Sequence, residues 1–267
     1  MDRVFKRHRV AELNVVKSQR KFLSEKDATQ RFKYLKTLIT SLPRTELHKF
    51  FVSNRSCIFY TFTDLFFCPE QESKQRANSS YTKDLKSVLT LLENILTLLP
   101  DYIRLRWQYN SIVEVLEELL CDRNALSIRK YGIRLFLIWY QVLGTSATPR
   151  CHQMFVNLVP KFGTWISDYQ NRGSLSTSDK IPSPLLNSSR SYFGISPREC
   201  TLFTFPNYEE RQSSQDVGRE LLEHFLRCLV SDVLSVTWND CPQDQHLMQF
   251  WFLFEQLKHT YLPVIFP

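Results

Sequence analysis

A chain of 267 residues with 43% apolar composition is long enough for one sizeable core or two small ones, and too apolar to be disordered throughout. Its 6 Gly favour helices, because Gly weakens a helix interior by about 1 kcal/mol relative to Ala. Of 34 basic and 27 acidic residues, 11 and 4 fall within residues 1–36, leaving 23 of each sign elsewhere. The whole net charge of +7 therefore sits on the N-terminal segment, not on a uniformly basic nucleic-acid-binding face.

Residues 1–23 are polar and basic with little period, and read as a solvated arm. Ser24 with Asp27 resembles a capping box opening the first helix, whose stripe is Ala28, Phe32, Leu35, Ile39 and Leu42, ended by Pro43. Thr45 can cap a second helix carrying Leu47, Phe50 and Phe51. The apolar run Cys57–Phe67 is strand or buried helix by periodicity, and its helical neighbours favour helix. A polar loop at 70–80 follows. Next comes a strong amphipathic helix through Leu85, Val88, Leu89, Leu92, Ile95, Leu96 and Leu99, stopped by Pro100. Asp101 can cap a helix with Ile112, Val115, Leu116, Leu119 and Leu120 inward. Another runs from Ala125 to Leu143 on Ile128, Ile133, Phe136, Leu137 and Tyr140, with Gly144 as its C-cap. Cys151–Val159 is a short helix closed by Pro160.

Residues 161–213 change character, with ten Ser, four Pro and three Gly. They are too long for an ordinary connection and read as a mobile Ser-rich insertion. Helices resume with Val217, Leu221, Phe225, Leu229 and Val233, then with Leu247, Phe250, Trp251, Phe254 and Leu257. The chain closes on an extended apolar tail, YLPVIFP, which implies docking in a groove or a chain that continues. The expected fold is all-α: an irregular HEAT- or armadillo-like solenoid or a bundle. Its parts are the arm 1–23, a helical scaffold 24–160, the insertion 161–213, and a helical pair 214–267 continuing the scaffold.

No motif of catalysis emerges. There is no Gly-rich phosphate loop, no H-E-x-x-H and no G-x-S-x-G elbow. The six His are isolated. His224 and Cys228 share a helix face, but a lone pair is far more often packing than a metal site. Seven scattered Cys without C-x-x-C fit free thiols in a reducing compartment. The longest apolar run, Ile133–Leu143, is broken by Arg134 and Gln141, so no membrane span is expected. The N-terminus MDRVFKRHRV lacks the apolar region of a secretory signal. No cofactor, metal or small-molecule substrate is expected, and the cytoplasm, and also the nucleus, is the expected location.

Two stretches stand out, LLPDYIRLRWQYNSI at 98–112 and RKYGIRLFLIWYQVL at 129–143. Arg104, Arg106, Trp107 and Tyr109 in the first, with Arg129, Lys130 and Arg134 in the second, combine the residue types that dominate interaction hot spots. They also suit stacking of single-stranded nucleic acid. The plainer alternative puts Trp107 and Trp139 in the core. Arg172 before Ser174 and Ser176, and Arg211 before Ser213 and Ser214, make those serines candidate phosphorylation sites.

The same stretches carry a family resemblance. RWQYNSI, IRKYGIRLFLIWYQVL and YLPVIFP, preceded by EKDATQRFKYLKTLI, LHKFF and IFYTF in the same order, resemble the N-terminal region of the alpha subunit of Ral GTPase-activating protein. That family is tuberin-like and carries a Rap/Ran-type GAP domain. The resemblance implies a HEAT-like scaffold within a large heterodimeric regulator, paired with a beta-type subunit. Activity towards a Ral-type small GTPase then belongs to a C-terminal GAP domain that inserts a catalytic Asn. No position here matches that motif, so no catalytic residue carries over. The chain is expected to be the non-catalytic scaffold alone, as a fragment or a short product. The rival expectation is a basic adaptor that binds anionic membrane or nucleic acid through residues 1–36.

Overall fold

The computed structural model describes residues 14–67, 79–122, 124–159, 214–231 and 243–266, and every regular element among them is helical. Residues 161–213, with Ser174, Ser176 and Ser213, lie outside the described residues, as do residues 1–13. The described residues up to Pro100 form one compact unit, and those from Asp101 onward form a second. This division falls inside the segment 24–160.

In the first unit, α1 covers residues 14–24. Part of the segment read as an arm is thus helical, because Phe22 is fully buried and meets Phe50 edge-on, ring centroids 5.6 Å apart. A single buried aromatic leaves no stripe to read. The helix α2, Ala28–Ser41, is capped by Asp27 and not by Ser24. The Asp27 carboxylate accepts the Gln30 amide at 2.8 Å, whereas the Ser24 hydroxyl turns back to the Lys21 carbonyl. Its buried residues are Phe32, Leu35 and Leu38.

What reads as a second helix plus an ambiguous apolar run is one element, α3, Arg44–Phe66. Pro43 precedes it, and no side chain caps it, Thr45 included. A kink at Asn54 (φ −116°, ψ 18°) lets one helix carry two apolar sectors, and Asn54 Nδ2 donates to the Phe50 carbonyl at 3.0 Å there. Leu47, Phe50, Phe51, Ile58, Phe59, Phe62, Leu65 and Phe66 are buried, against α2 and against α4, Ser79–Leu98. The apolar face of α4 runs through Leu85, Val88, Leu89, Leu92, Ile95 and Leu96.

The second unit opens at Asp101, within α5, Pro100–Arg104, and continues with α6, Tyr109–Leu120. Asp101 caps neither. The helix α5 starts on Pro100, and Gln108, in a left-handed conformation, precedes α6. At the centre lies α7, Leu126–Leu143, with 14 of 18 residues buried; such all-round burial suits a helix packed on several sides. Against it pack α6, α9 (Ser214–Ser231) and α10 (Gln243–Thr260). A 3-10 turn, Gly144–Ser146, and α8, Pro149–Val156, follow α7. Gly144 ends α7 at φ 51°, where a Cβ would collide with the Gln249 side-chain amide of α10.

The final stripe is a correction. Leu247, Phe250, Trp251 and Phe254 of α10 face outward, while Leu253 is buried, Phe252 meets Tyr140, and Gln256 accepts from the Tyr140 hydroxyl. Five consecutive apolar residues at 250–254 wrap right round a helix, so spacing alone cannot choose the inward side. The tail is not extended. Tyr261 is fully buried, its hydroxyl donates to the Phe155 carbonyl at 2.6 Å, and Leu262–Ile265 form α11.

Candidate functional site

The turn joining α5 to α6 gathers four of the seven basic and aromatic residues singled out in the sequence: Arg104, Arg106, Trp107 and Tyr109. The Trp107 amide donates to the Tyr102 carbonyl at 3.0 Å and the Arg106 amide to the Ile103 carbonyl at 2.8 Å. This paired closure is a Schellman motif, with Arg106 at the left-handed position that Gly usually takes (φ 63°). Trp107 packs on Tyr102 with ring centroids 6.5 Å apart, the apolar contact that accompanies such a cap. A non-Gly residue there costs about 1 kcal/mol. The Arg106 guanidinium offsets that cost, donating through Nε and Nη2 to the Ser146 carbonyl at 3.1 and 2.9 Å. Leu105 is left 79% exposed at the tip. Arg104 pairs with Asp101 at 3.7 Å.

Tyr109 turns inward. Its ring lies 5.6 Å from that of Trp139, which is fully buried. Its hydroxyl bonds Thr148 Oγ1 at 2.6 Å and Cys151 Sγ at 3.2 Å. Burial, with the neighbouring thiol, pushes the Tyr109 phenol up to about 12, so it stays protonated. Beside it, Arg106, Gln108, Tyr109, Asn110 and Ser111 line an open cavity of about 350 Å³.

The other singled-out residues of that group lie on α7, and Lys130 ties it to α9. Arg129 is buried, Lys130 pairs with Glu220, and Arg134 is half-buried. The Lys130 carbonyl meets His224 Nε2 at 3.0 Å, and Cys228 Sγ approaches the same nitrogen at 3.3 Å. His224 and Cys228 do share a face, and a backbone carbonyl occupies the imidazole. Among the described residues no group of three or more His, Cys, Asp or Glu is placed to hold a metal. Nor is any described helix long and apolar enough to cross a membrane. Ser214 is the first residue of α9.

Two contacts escaped sequence reasoning. Glu117, which reads as a solvated acid beside Glu118, is half-buried and takes a bidentate bond from Arg150 at 2.8 and 2.7 Å. Burial raises its carboxyl above the usual range against the pull of Arg150. The Tyr140 hydroxyl lies between His152 Nδ1 and Gln256 Oε1. Both contacts join helices far apart in sequence, which no local spacing reveals.

These features define an all-α protein in which the conspicuous basic and aromatic residues largely close on neighbouring helices. The chain matches the family described as the RALGAPA1 N-terminal domain over residues 5–247, and it belongs to that family. It is 35% identical over 255 residues to the pig Ral GTPase-activating protein subunit alpha-1, covering 95% of this chain and 73% of that protein. It is equally identical to the rat subunit alpha-1 over 255 residues, and 34% identical to the mouse subunit alpha-2 over 257. The chain spans only 12% and 13% of the length of those two relatives. No solved structure matches it.

Proposed function

We propose that this chain is a non-catalytic helical scaffold that contributes to the regulation of Ral-type small GTPases by holding partner proteins. The observation that carries this reading is the family match over nearly the whole chain, against about one eighth of the rat and mouse subunits' length. Activity towards a Ral-type GTPase then belongs to the GAP domain, which the scaffold serves in the cytoplasm, and also the nucleus. The partner is a beta-type subunit. The exposed turn at Leu105 and Arg106, with the cavity beside it, offers it a preformed contact: its backbone is locked before any partner arrives, so little order is lost on binding. Co-purification of a tagged beta-type subunit with the chain tests this. Capture is expected, with loss on Leu105→Asp; no capture by the intact chain contradicts it.

A second reading has its own support. On residues 14–36, Lys17, Arg20, Lys21, Lys26, Lys33 and Lys36 are all exposed. A basic surface of this kind attracts anionic lipid, each cation near the surface contributing about 1 kcal/mol. Co-sedimentation with phosphatidylserine vesicles at low and high salt separates the readings. Salt-sensitive binding lost on deleting residues 1–36 favours the membrane adaptor.

A further inference from the structure

Every charged residue of α1 and α2 is a cation. On α1 these are Lys17, Arg20 and Lys21, all exposed, and on α2 they are Arg31, Lys33 and Lys36. The only acids between residues 14 and 41 are Glu25 and Asp27, in the connection between the helices. Both are committed to backbone amides: the Glu25 carboxylate accepts those of Lys26 and Asp27 at 2.9 and 3.3 Å, and Asp27 caps α2. Lys17, Arg20 and Lys33 form no ion pair among the described residues. This positive surface is therefore uncompensated, and it attracts a partner rich in negative charge.

Two aliphatic side chains stand among these cations. Val16 and Leu23 are 45 and 56% exposed. With Arg20 they fall at positions i, i+4 and i+7, one line along α1, and Lys17 and Lys21 run beside it. The opposite side of the helix carries the buried Ser18 and Phe22.

Charge and shape together select the occupant. Single-stranded nucleic acid needs open aromatic faces for stacking. Tyr34 and Phe32 of α2 carry lysines instead, Lys21 Nζ at 5.2 Å and Lys36 Nζ at 4.4 Å from the ring centroids. A protein partner is held by aromatic anchors and by charges of both signs that fix its register, and the outer face of α1 has neither. Anionic lipid asks only for cations at the headgroups and aliphatic side chains that reach the acyl boundary.

We propose, building on the membrane contact through residues 1–36 set out above, that α1 itself makes that contact. It lies along an anionic membrane surface, with Lys17, Arg20 and Lys21 among the headgroups and Val16 and Leu23 at the acyl boundary. The Phe22 ring, packed on Phe50 of α3, fixes which face is presented. The contact thus belongs to the folded unit and not to a loose basic arm.

Co-sedimentation of the full 267-residue chain tests this, with vesicles of phosphatidylcholine alone or mixed with phosphatidylserine. Circular dichroism confirms that each variant is folded. Binding is expected only where phosphatidylserine is present. Each cation near such a surface contributes about fivefold, so Lys17→Gln, Arg20→Gln and Lys21→Gln together should weaken binding about a hundredfold and flatten its salt dependence. Val16→Gln with Leu23→Gln should weaken it about tenfold and leave the salt dependence unchanged, because aliphatic burial is not screened. No binding by the intact chain overturns this assignment and the membrane reading together. Binding that survives both α1 variants but is lost on deleting residues 1–13 keeps that reading and overturns the assignment to α1. Indifference to the aliphatic pair overturns it too, as does tighter binding to a single-stranded oligonucleotide than to the vesicles.

Discussion

Tyr261 shows how much one buried polar atom can hold. Its ring is sealed between Phe155 and Phe225, at 5.3 and 4.7 Å, and its hydroxyl closes on the Phe155 carbonyl. Burial raises its phenol far above the ordinary range, so it is a permanent donor. Tyr261→Phe leaves the Phe155 carbonyl only the longer bond from the Leu158 amide, 3.3 Å, and should cost about 1 kcal/mol in urea unfolding; an unchanged midpoint contradicts this. Gly132 makes a second test. A Cβ there would meet Leu119 Cβ at 3.0 Å and the Leu119 carbonyl carbon at 3.2 Å, a backbone atom that cannot step aside. Gly132→Ala gains about 1 kcal/mol of helix propensity but loses more to overpacking, so the same measurement should show net destabilisation. His152 gives a pH test. Burial lowers its pKa from 6.5, so the folded chain takes up the proton less readily than the unfolded one. Its contribution is complete above the unfolded value and is lost as pH falls from there through the lowered folded value. Between about pH 7 and 5 the intact chain should lose stability more steeply than His152→Gln. Parallel slopes contradict this.

Among the elements, the α5–α6 turn trades backbone strain for a long-range tie. Arg106→Ala keeps the left-handed strain and loses both bonds to Ser146, whereas Arg106→Gly loses the bonds and relieves the strain. Thermal unfolding should find the Ala variant less stable than the Gly variant by about 1 kcal/mol. The reverse order contradicts the strain assigned to Arg106. The same turn marks how far the sequence can be read. Stripes with one clear side, such as Leu85–Leu96 on α4 and Ile112–Leu119 on α6, are legible because one face is apolar and the other polar. Where apolar residues wrap the helix, as at 57–67 and 250–254, period no longer selects a side. The length of α3 and the outward turn of α10 then come only from the structure. Caps were misassigned because several residues compete: Ser24, Thr45 and Asp101 are all good cap types, but Asp27 and Pro100 stand where the chain bends.

For the whole molecule, the all-α class follows from few Gly and repeated stripes, and family membership from ordered segments spread along the chain. The division at Pro100 is set by contacts between distant segments, and composition is continuous across it. The basic and aromatic cluster was legible as a group, but not its uses. Arg106, Tyr109 and Lys130 bond to partners 39 to 90 residues away. The central claim is a scaffold without GAP activity of its own. Single-turnover GTP hydrolysis by a Ral-type GTPase, timed with and without excess purified chain, tests it most directly. The account predicts identical time courses. Acceleration by this chain alone would contradict it.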